Sequence, residues 1–287
     1  MEVNFKNLRV PADYPTYPPY HKGDYLEEYF YKFYKNHKDT FDKTGYTYIP
    51  VYWTSVYITS KNKELLQPYL NWLPKDKKYF TVSQHDDAVQ EILPSGTLSF
   101  EAGGNKNGIP LPLICSPIEK NLIKEVNKDI FCSFVGTISH NASARVKLYK
   151  TYYDDNSFYF NEPRMWTDKV QNDHLKEFIY TTQRSIFSLC PRGYGKQSFR
   201  FYEVMQLGSI PVFIYNPEWF PFKKYIDWSE FAVCIHEDEI PSLKSKLESY
   251  SEKDIENMLK RGKEVYQEFF TMEGMSKTIL RYLQDEK

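Results

Sequence analysis

Basic side chains and glycines are concentrated in one short stretch of the 287-residue chain, between residues 190 and 203. Arg192, Lys196 and Arg200 stand there beside two glycines, around the start of a predicted helix. The first turn of a helix carries N–H groups without intrahelical partners and the positive end of the helix dipole. Because arginine forks also match phosphate oxygens, this combination favours a diphosphate-binding site.

Two further side chains extend this predicted site. Ser198 is placed either to cap the helix or to bond a phosphate oxygen. Glu203 follows Arg200 on the same helix face, where a carboxylate could accept hydrogen bonds from ribose hydroxyls. The alternative is a purely structural strand–loop–helix unit with an Arg200–Glu203 surface ion pair. Neither a Walker A loop nor a dinucleotide-binding spacing is present.

A second polar cluster, His85-Asp86-Asp87, follows the apolar run at residues 79–83. Histidine and carboxylate side chains at a strand end are candidates for general acid–base chemistry. Asp86 and His85 rank ahead of Asp87, and Glu101 is the reserve candidate. The alternative interpretation is an acidic turn on the surface.

The predicted elements place both clusters at strand ends. In the second half, strands alternate with helices, which indicates βαβ units and a parallel sheet whose ligands bind at the carboxyl ends of the strands. The first half is less regular. The predicted strands are 48–58 (β-rich but interrupted by Pro50), 79–83, 130–135, 185–190, 210–215 and 231–235, and the clearest predicted helices are 25–34 and 199–207, the latter ended by Gly208.

Composition excludes several classes of protein. The formal net charge of −1 lacks the positive excess typical of nucleic-acid binders, so we expect no nucleic-acid partner. No run approaches 18 consecutive apolar residues and the N-terminus lacks a signal-peptide pattern, so we expect a soluble cytoplasmic protein without a membrane anchor. The four cysteines form no CxxC pair and are expected to be reduced.

The stretch at residues 187–213 resembles the signature of the exostosin-like glycosyltransferase family. The matching positions are Cys190, Pro191, Arg192, Gly193, Ser198, Arg200, Glu203, Gly208, Ile210, Pro211 and Val212. Gly136, Thr137 and Arg145 resemble the glycine-bearing loop and basic residue of that family. His85-Asp86 resembles its His-Asp element, although Asp87 replaces the Trp that commonly follows. The resemblance covers residues 79–265, and the absence of an anchor fits a compact member of bacterial or large-DNA-virus type.

The resemblance implies an α/β fold of two Rossmann-like domains facing a cleft, the GT-B type. Residues 1–122 would form the acceptor-side domain, residues 123–250 the nucleotide-sugar donor domain, and residues 251–287 C-terminal helices able to cross back to the first domain. It also implies an inverting transfer from a UDP-sugar, with UDP-xylose as one candidate, to a hydroxyl of a glycan acceptor. The implied donor-binding residues are Gly136, Thr137, Arg145, Arg192, Gly193, Tyr194, Lys196, Ser198, Arg200 and Glu203.

Such a reaction needs a general base, which we assign to the cluster at residues 85–87, and stabilisation of the leaving diphosphate. Metal-dependent transferases commonly hold a metal ion with an Asp-x-Asp pair. The sequence has no such pair, so we expect no metal and no cofactor besides the UDP-sugar co-substrate. The cations Arg145, Arg192, Lys196 and Arg200 would then neutralise the diphosphate.

Two alternatives remain open at this point. One is another nucleotide-sugar enzyme of similar fold, such as an epimerase, which the absence of G-x-G-x-x-G near the N-terminus disfavours. The other is a non-catalytic carbohydrate-binding protein, which would not need the Arg192, Arg200 and Glu203 set.

Overall fold

The computed structural model describes residues 3–11, 25–104, 108–114, 118, 126–138, 143–162 and 172–286. These residues divide into two compact units. The first unit takes the described residues up to Ile114 and again from Phe269 onward, and the second takes those in between. The predicted boundary was near residue 122. The C-terminal segment predicted as a single tail is shared by the two units, since residues 251–268 belong to the second.

A four-stranded parallel sheet forms the centre of the first unit, in the order β1-β2-β3-β4. Its strands are β1 (Tyr46–Tyr48), β2 (Lys78–Ser83), β3 (Leu98–Glu101) and β4 (Ile109–Pro110). The five residues at the end of β2 are all buried, as expected of a strand covered on both faces. The strand predicted at residues 79–83 is therefore confirmed.

Four helices of the first unit precede or separate these strands. They are α1 (Leu26–Asn36), α2 (Lys38–Asp42), α3 (Trp53–Thr59) and α4 (Leu66–Asn71). Side chains from α3, α4 and β2 share one apolar cluster that includes Trp53, Leu66 and Tyr79. The aromatic helix predicted at residues 25–34 is confirmed by α1.

The β-rich prediction for residues 48–58 is wrong over most of its length. Only β1 reaches Tyr48, and the β-branched and aromatic residues from Trp53 onward form helix α3. The first turn of α3 receives a distant acceptor, because the backbone N–H of Thr54 donates to the Glu27 carboxylate at 3.0 Å. A tertiary contact of this kind overrides the local preference of such residues for strands.

The second unit contains a five-stranded parallel sheet in the order β6-β5-β7-β8-β9. Its strands are β5 (Ile130–Val135), β6 (Phe158–Asn161), β7 (Ser185–Pro191), β8 (Ile210–Tyr215) and β9 (Val233–His236). The strand order reverses direction between β5 and β7, which is the position where open parallel sheets bind their ligands. Four of these five strands match predicted segments to within two residues at either end.

Helices connect the strands of this second sheet and pack on it. They are α5 (Ser143–Tyr152), α6 (Asn172–Arg184), α7 (Phe199–Gln206), α8 (Leu243–Glu248) and α9 (Glu252–Phe269). Gly208 follows α7 with φ +72°, the left-handed conformation that favours glycine after a helix. The apolar core between these elements includes Leu148, Leu189, Val212 and Ile235.

The final helix, α10 (Met272–Asp285), belongs to the first unit. It contacts α1, and Tyr282 meets the ring of Phe100 edge-on with 5.4 Å between ring centres. Met275, Ile279 and Leu283 are fully buried along its inner face. The first unit is therefore completed by a segment that follows the second unit in the chain.

Both units are α/β structures built on a parallel sheet, so the predicted fold class of two Rossmann-like domains is confirmed. Across the described residues, every helix is too short or too polar to cross a membrane. The thiols of Cys132, Cys190 and Cys234 are free, while Cys115 lies outside the described residues.

Candidate active site

The predicted donor-binding residues lie around two neighbouring loops of the second unit. Gly136 and Thr137 directly follow β5, and residues 192–198 join β7 to α7. Because β5 and β7 pair in parallel, both loops leave the sheet at its carboxyl edge. The sheet therefore gathers residues that are more than 50 positions apart in the sequence.

Arg145, in the first turn of α5, links these two loops. Its Nη1 donates to the carbonyl oxygen of Thr137 at 2.9 Å. A methyl group placed on Gly193 would lie 3.6 Å from the Arg145 Nη2, an ordinary van der Waals distance. The guanidinium also lies 5.9 Å from the centre of the Phe134 ring. The structure thus brings Arg145 together with Thr137 and Gly193, as the donor-site prediction requires.

Arg200, in the first turn of α7, reaches the end of β5. Its Nη1 donates to the carbonyl oxygen of Val135, and its guanidinium lies over the Phe178 ring at 4.4 Å. A methyl group on Gly136 would lie only 3.2 Å from Nη2. Glycine at position 136 therefore leaves room for the guanidinium to approach the backbone.

The Arg200–Glu203 ion pair is absent from the described structure. Arg200 turns towards Val135 and two aromatic rings, whereas no hydrogen bond or ion pair joins the Glu203 carboxylate to any described residue. Burial raises the pKa of Glu203, and the positive charge of Arg200 opposes that shift. The i, i+3 spacing failed as a predictor because aromatic contacts and a carbonyl acceptor compete for the guanidinium.

Ser198 caps helix α7, as predicted. Its Oγ accepts a hydrogen bond from the backbone N–H of Arg200 at 3.3 Å, and its carbonyl oxygen accepts one from Phe201 at 3.1 Å. Two N–H groups of the first turn thus already have acceptors within the protein. The prediction of free N–H groups at the start of α7 is therefore wrong for these two groups. A diphosphate bound here would depend more on the arginine side chains than on the helix start.

The remaining residues of the loop point to different surroundings. The Lys196 Nζ lies 4.2 Å from the ring centre of Trp219, and Tyr194 is 62% exposed. Arg192 donates to the neighbouring Gly193 carbonyl at 3.4 Å, while its buried Nε has no acceptor among the described residues.

Sequence reasoning missed Asn216 and Lys147, two polar residues at the same sheet edge. Asn216 follows β8, and its Nδ2 donates a hydrogen bond to the Oε1 of Glu237 at 2.7 Å. Glu237 is the residue directly after β9. Lys147 of α5 donates to the Glu237 carbonyl oxygen at 2.8 Å, and the buried Oε2 of Glu237 has no partner in the described part of the chain. For Asn216 the available signal was its position directly after a predicted parallel strand, whereas Lys147 lies within α5.

In the first unit, the loop after β2 carries the predicted base candidates. The His85 ring is half-buried and meets the Tyr57 ring edge-on at 4.9 Å. Its Nδ1 accepts the backbone N–H of Asp87 at 3.3 Å, and burial lowers its pKa. A neutral His85 in this arrangement carries its proton on Nε2, which makes that nitrogen a donor rather than an acceptor.

The two carboxylates of this loop, Asp86 and Asp87, are both exposed. Desolvation by the surrounding protein, followed by the charge of Asp87, raises the pKa of Asp86. Glu101, the reserve candidate, is only 1% exposed and accepts a hydrogen bond from the Ser99 hydroxyl at 2.5 Å. Its exposure favours Asp86 over the buried Glu101 as an accessible proton acceptor, and the raised pKa of Asp86 suits a general base. His85 is disfavoured because its Nδ1 already accepts a hydrogen bond from Asp87.

Close backbone contacts hold this loop in place. A methyl group on Gly103 would overlap the His85 carbonyl oxygen and the Asp86 Cα. The N–H of Ala88 donates to the same His85 carbonyl at 2.9 Å, with Ala88 at φ +58°. Glycine is therefore required at position 103 for the loop to take this path.

Within the described ranges, no group of three or more His, Cys, Asp or Glu side chains could hold a metal ion. The absence of a metal requirement remains a prediction.

Comparison with solved structures gives low overall similarity. TarM shares 10% identity and a TM-score of 0.38 over 78% of this chain and 58% of its own. The pneumococcal O-GlcNAc transferase GtfA, solved with UDP and GlcNAc, shares 12% identity and a TM-score of 0.37 over 88% of this chain and 47% of its own.

Sequence relatives include several named glycosyltransferases. A probable glucuronosyltransferase of Oryza sativa subsp. japonica is 38% identical over 80 residues, which are 28% of this chain and 19% of the relative. The probable beta-1,4-xylosyltransferase IRX10 of Arabidopsis thaliana is 36% identical over the same shares. The Exostosin-1 homolog of Caenorhabditis elegans is 27% identical over 165 residues, 57% of this chain and 40% of the relative.

The matches thus span between about a fifth and two fifths of the length of these relatives. The profile of the Exostosin GT47 domain matches residues 76–250, which include the His85–Asp87 loop and both loops of the second unit. This match covers more than half of the chain, and the chain belongs to the exostosin-like family of glycosyltransferases.

Proposed function

We propose that this protein is an inverting glycosyltransferase that moves a sugar from a UDP-sugar to a hydroxyl of a glycan acceptor. The observation that carries the proposal is the position of Arg145 and Arg200. Both guanidiniums lie beside glycines at the carboxyl edge of β5 and β7, where the strand order reverses. Positive charge and close backbone approach are what a diphosphate requires at such an edge.

The family and the names of relatives support a UDP-sugar as the proposed donor class. Relatives are named as probable glucuronosyltransferases and as a probable xylosyltransferase. UDP-glucuronate and UDP-xylose therefore head the list of donors to test, and UDP-xylose is the donor considered first. Glu203 would accept hydrogen bonds from the ribose, since its carboxylate has no described partner.

In the proposed reaction, the acceptor hydroxyl oxygen attacks the anomeric carbon while the bond from that carbon to the UDP oxygen breaks. The hydroxyl proton passes to the Asp86 carboxylate, and the electron pair of the broken bond leaves with UDP. Arg145 and Arg200, with Arg192 and Lys196, would stabilise the charge that develops on the diphosphate. Inversion at the anomeric carbon follows from a single displacement.

These four cations also underlie the proposed independence from metal. A side-chain cation can neutralise a leaving diphosphate in place of a divalent ion. In this scheme, the UDP-sugar is the co-substrate and no resident cofactor takes part.

The test is a hydrolysis screen over a panel of nucleotide sugars, with and without excess EDTA. We expect release of UDP from at least one UDP-sugar at the same rate with and without EDTA. Loss of activity in EDTA that Mn²⁺ restores would overturn metal independence. A calorimetric titration with UDP separates the enzyme from a non-catalytic carbohydrate-binding protein, since only the enzyme needs to bind UDP.

A further inference from the structure

We propose that Glu27 is a positioning residue that holds the His85–Asp86 loop in place for catalysis. This inference rests on the proposed function, because it assumes that Asp86 acts as the base. Glu27 lies in the first turn of α1 and is fully buried.

A single oxygen of Glu27 ties two other elements together. Its Oε1 accepts hydrogen bonds from the Thr54 N–H at 3.0 Å, the Thr54 hydroxyl at 2.7 Å and the Gln84 N–H at 3.0 Å. Thr54 belongs to the first turn of α3, and Gln84 directly follows β2, two residues before Asp86. The carboxylate therefore fixes the point where the chain leaves the sheet and enters the loop.

The side chain of Gln84 makes a second hydrogen bond to α1. Its Oε1 accepts a hydrogen bond from the backbone N–H of Leu26 at 2.9 Å, at the start of α1. Two hydrogen bonds of opposite direction thus join α1 to the end of β2. Because both are buried, neither is weakened by competition with water.

Burying a carboxylate at position 27 costs free energy, and an apolar side chain could fill the same space without that cost. Burial raises the pKa of Glu27, while the hydrogen bonds from Gln84 and Thr54 oppose the shift. Its second oxygen is buried and has no hydrogen-bond partner among the described residues. Apolar residues of similar volume often replace buried ionic groups with equal or greater stability. The specific gain from Glu27 is the fixed geometry of Gln84.

The neighbouring Glu28 provides a matched control. It is 3% exposed and accepts a hydrogen bond from the Ser55 hydroxyl at 2.7 Å, also in α3. None of its hydrogen bonds reaches Gln84. Glu28→Gln therefore changes a buried carboxylate of the same helix without touching the loop.

The test compares Glu27→Gln and Glu27→Asp with Glu28→Gln, using the full chain and a UDP-sugar that the screen shows to be a donor. We expect both Glu27 variants to lower kcat about tenfold or more, with the donor KM and the UDP Kd within twofold of wild type. Aspartate keeps the charge but withdraws the oxygen by about one carbon–carbon bond, so it tests position rather than charge. Glu28→Gln should retain wild-type kcat.

Hydrogen exchange at the backbone amides of residues 84–88 gives a second measurement that does not depend on activity. Exchange in this segment should rise in the Glu27 variants and stay unchanged in Glu28→Gln. Wild-type kcat in both Glu27 variants, or equal losses of kcat in Glu27→Gln and Glu28→Gln, would overturn the proposal. If wild type transfers no sugar, the proposed function fails, and unchanged exchange would separately refute the positioning role.

Discussion

The two loops that follow β5 and β7 in the second unit, the proposed donor loops, and the His85–Asp86 loop of the first unit are held in place by different contacts. In the second unit, long cationic side chains span from one loop to the next, as Arg145 and Arg200 do. In the first unit, a glycine packs directly against the loop backbone and a buried carboxylate holds its start. The first arrangement suits recognition of an anion, and the second suits accurate placement of one reactive group. Substitutions in the two regions should therefore alter different kinetic quantities.

The largest effect is expected from Asp86→Asn, which removes the proposed base. Turnover should fall by roughly 10² to 10⁴, the usual contribution of general base catalysis, while the UDP Kd stays unchanged. Steady-state kinetics and calorimetry with UDP measure the two quantities. A turnover near that of wild type would remove this loop from the mechanism.

The same residue predicts a pH dependence in the wild type. A base must be ionised to accept a proton, and desolvation by the surrounding protein together with the charge of Asp87 raises the pKa of Asp86. Turnover should therefore decline, as the pH falls, at a higher pH than an ordinary aspartate would give. Removing the like charge in Asp87→Asn should move this decline to lower pH, and a shift in the opposite direction would contradict the assignment.

The next largest effect is expected from Arg145→Ala, which should weaken UDP binding and lower kcat/KM by about 10² to 10³. The matched control is Arg184→Ala in the same unit. Arg184 pairs with Asp129 just before β5, at the opposite end of that strand from the proposed donor loops. Equal losses of UDP affinity in the two variants would show that general charge, and not the position of Arg145, binds the nucleotide.

A smaller effect should follow from Gly103→Ala. The added methyl group must displace the backbone of His85 and Asp86, so we expect about a tenfold loss of kcat with unchanged UDP affinity. Gly193→Ala is the control from the other region, because its methyl group would meet Arg145 at 3.6 Å, an ordinary contact distance. Fixed-time activity assays give kcat for both variants, and thermal unfolding checks that both are folded. Equal losses of kcat in both would remove the distinction between the two regions.

Glu28→Gln should change turnover least, and its main expected effect is on the pH dependence of the unfolding free energy. Burial and the charge of Glu27 raise the pKa of Glu28 from 4.5 to about 7 in the folded protein. The folded state therefore binds this proton more tightly, and the resulting stability, present below pH 4.5, is lost as the pH rises through about 7. Relative to Glu28→Gln, the wild type should lose at most about 3 kcal/mol of unfolding free energy over that interval. Denaturant melts at several pH values measure it, and a constant difference would contradict the shift.

The second unit could be predicted well from the sequence because its signals are local. Strands β5 and β8 are short apolar runs bounded by polar residues or glycine, and the predicted bounds agree with the structure. Helix α7 carries its cap at Ser198 and its stop at Gly208 within one segment. Local patterns of this kind need no information from elsewhere in the chain.

The first unit was harder because its determining contacts are distant. Residues 53–59 have the composition of a strand, yet Glu27 accepts from the first turn of the helix they form. Glu27 itself resembles an ordinary surface residue of an aromatic helix, and its partners lie 27 and 57 positions away. The Arg200–Glu203 pair failed for the same reason, since the partners of Arg200 come from β5 and α6.

The assignment of α10 to the first unit has a consequence for biosynthesis. The described residues of the second unit beyond Ile114 all leave the ribosome before Phe269, whereas the first unit lacks helix α10 until residues 272–285 have been synthesised. Until then, the nascent first unit leaves part of its core exposed to water or to a chaperone. The α10 side chains that later fill this space include Met275, Ile279 and Leu283. Domains usually acquire their structure in the order of synthesis, and in this protein the earlier half must wait for the later one.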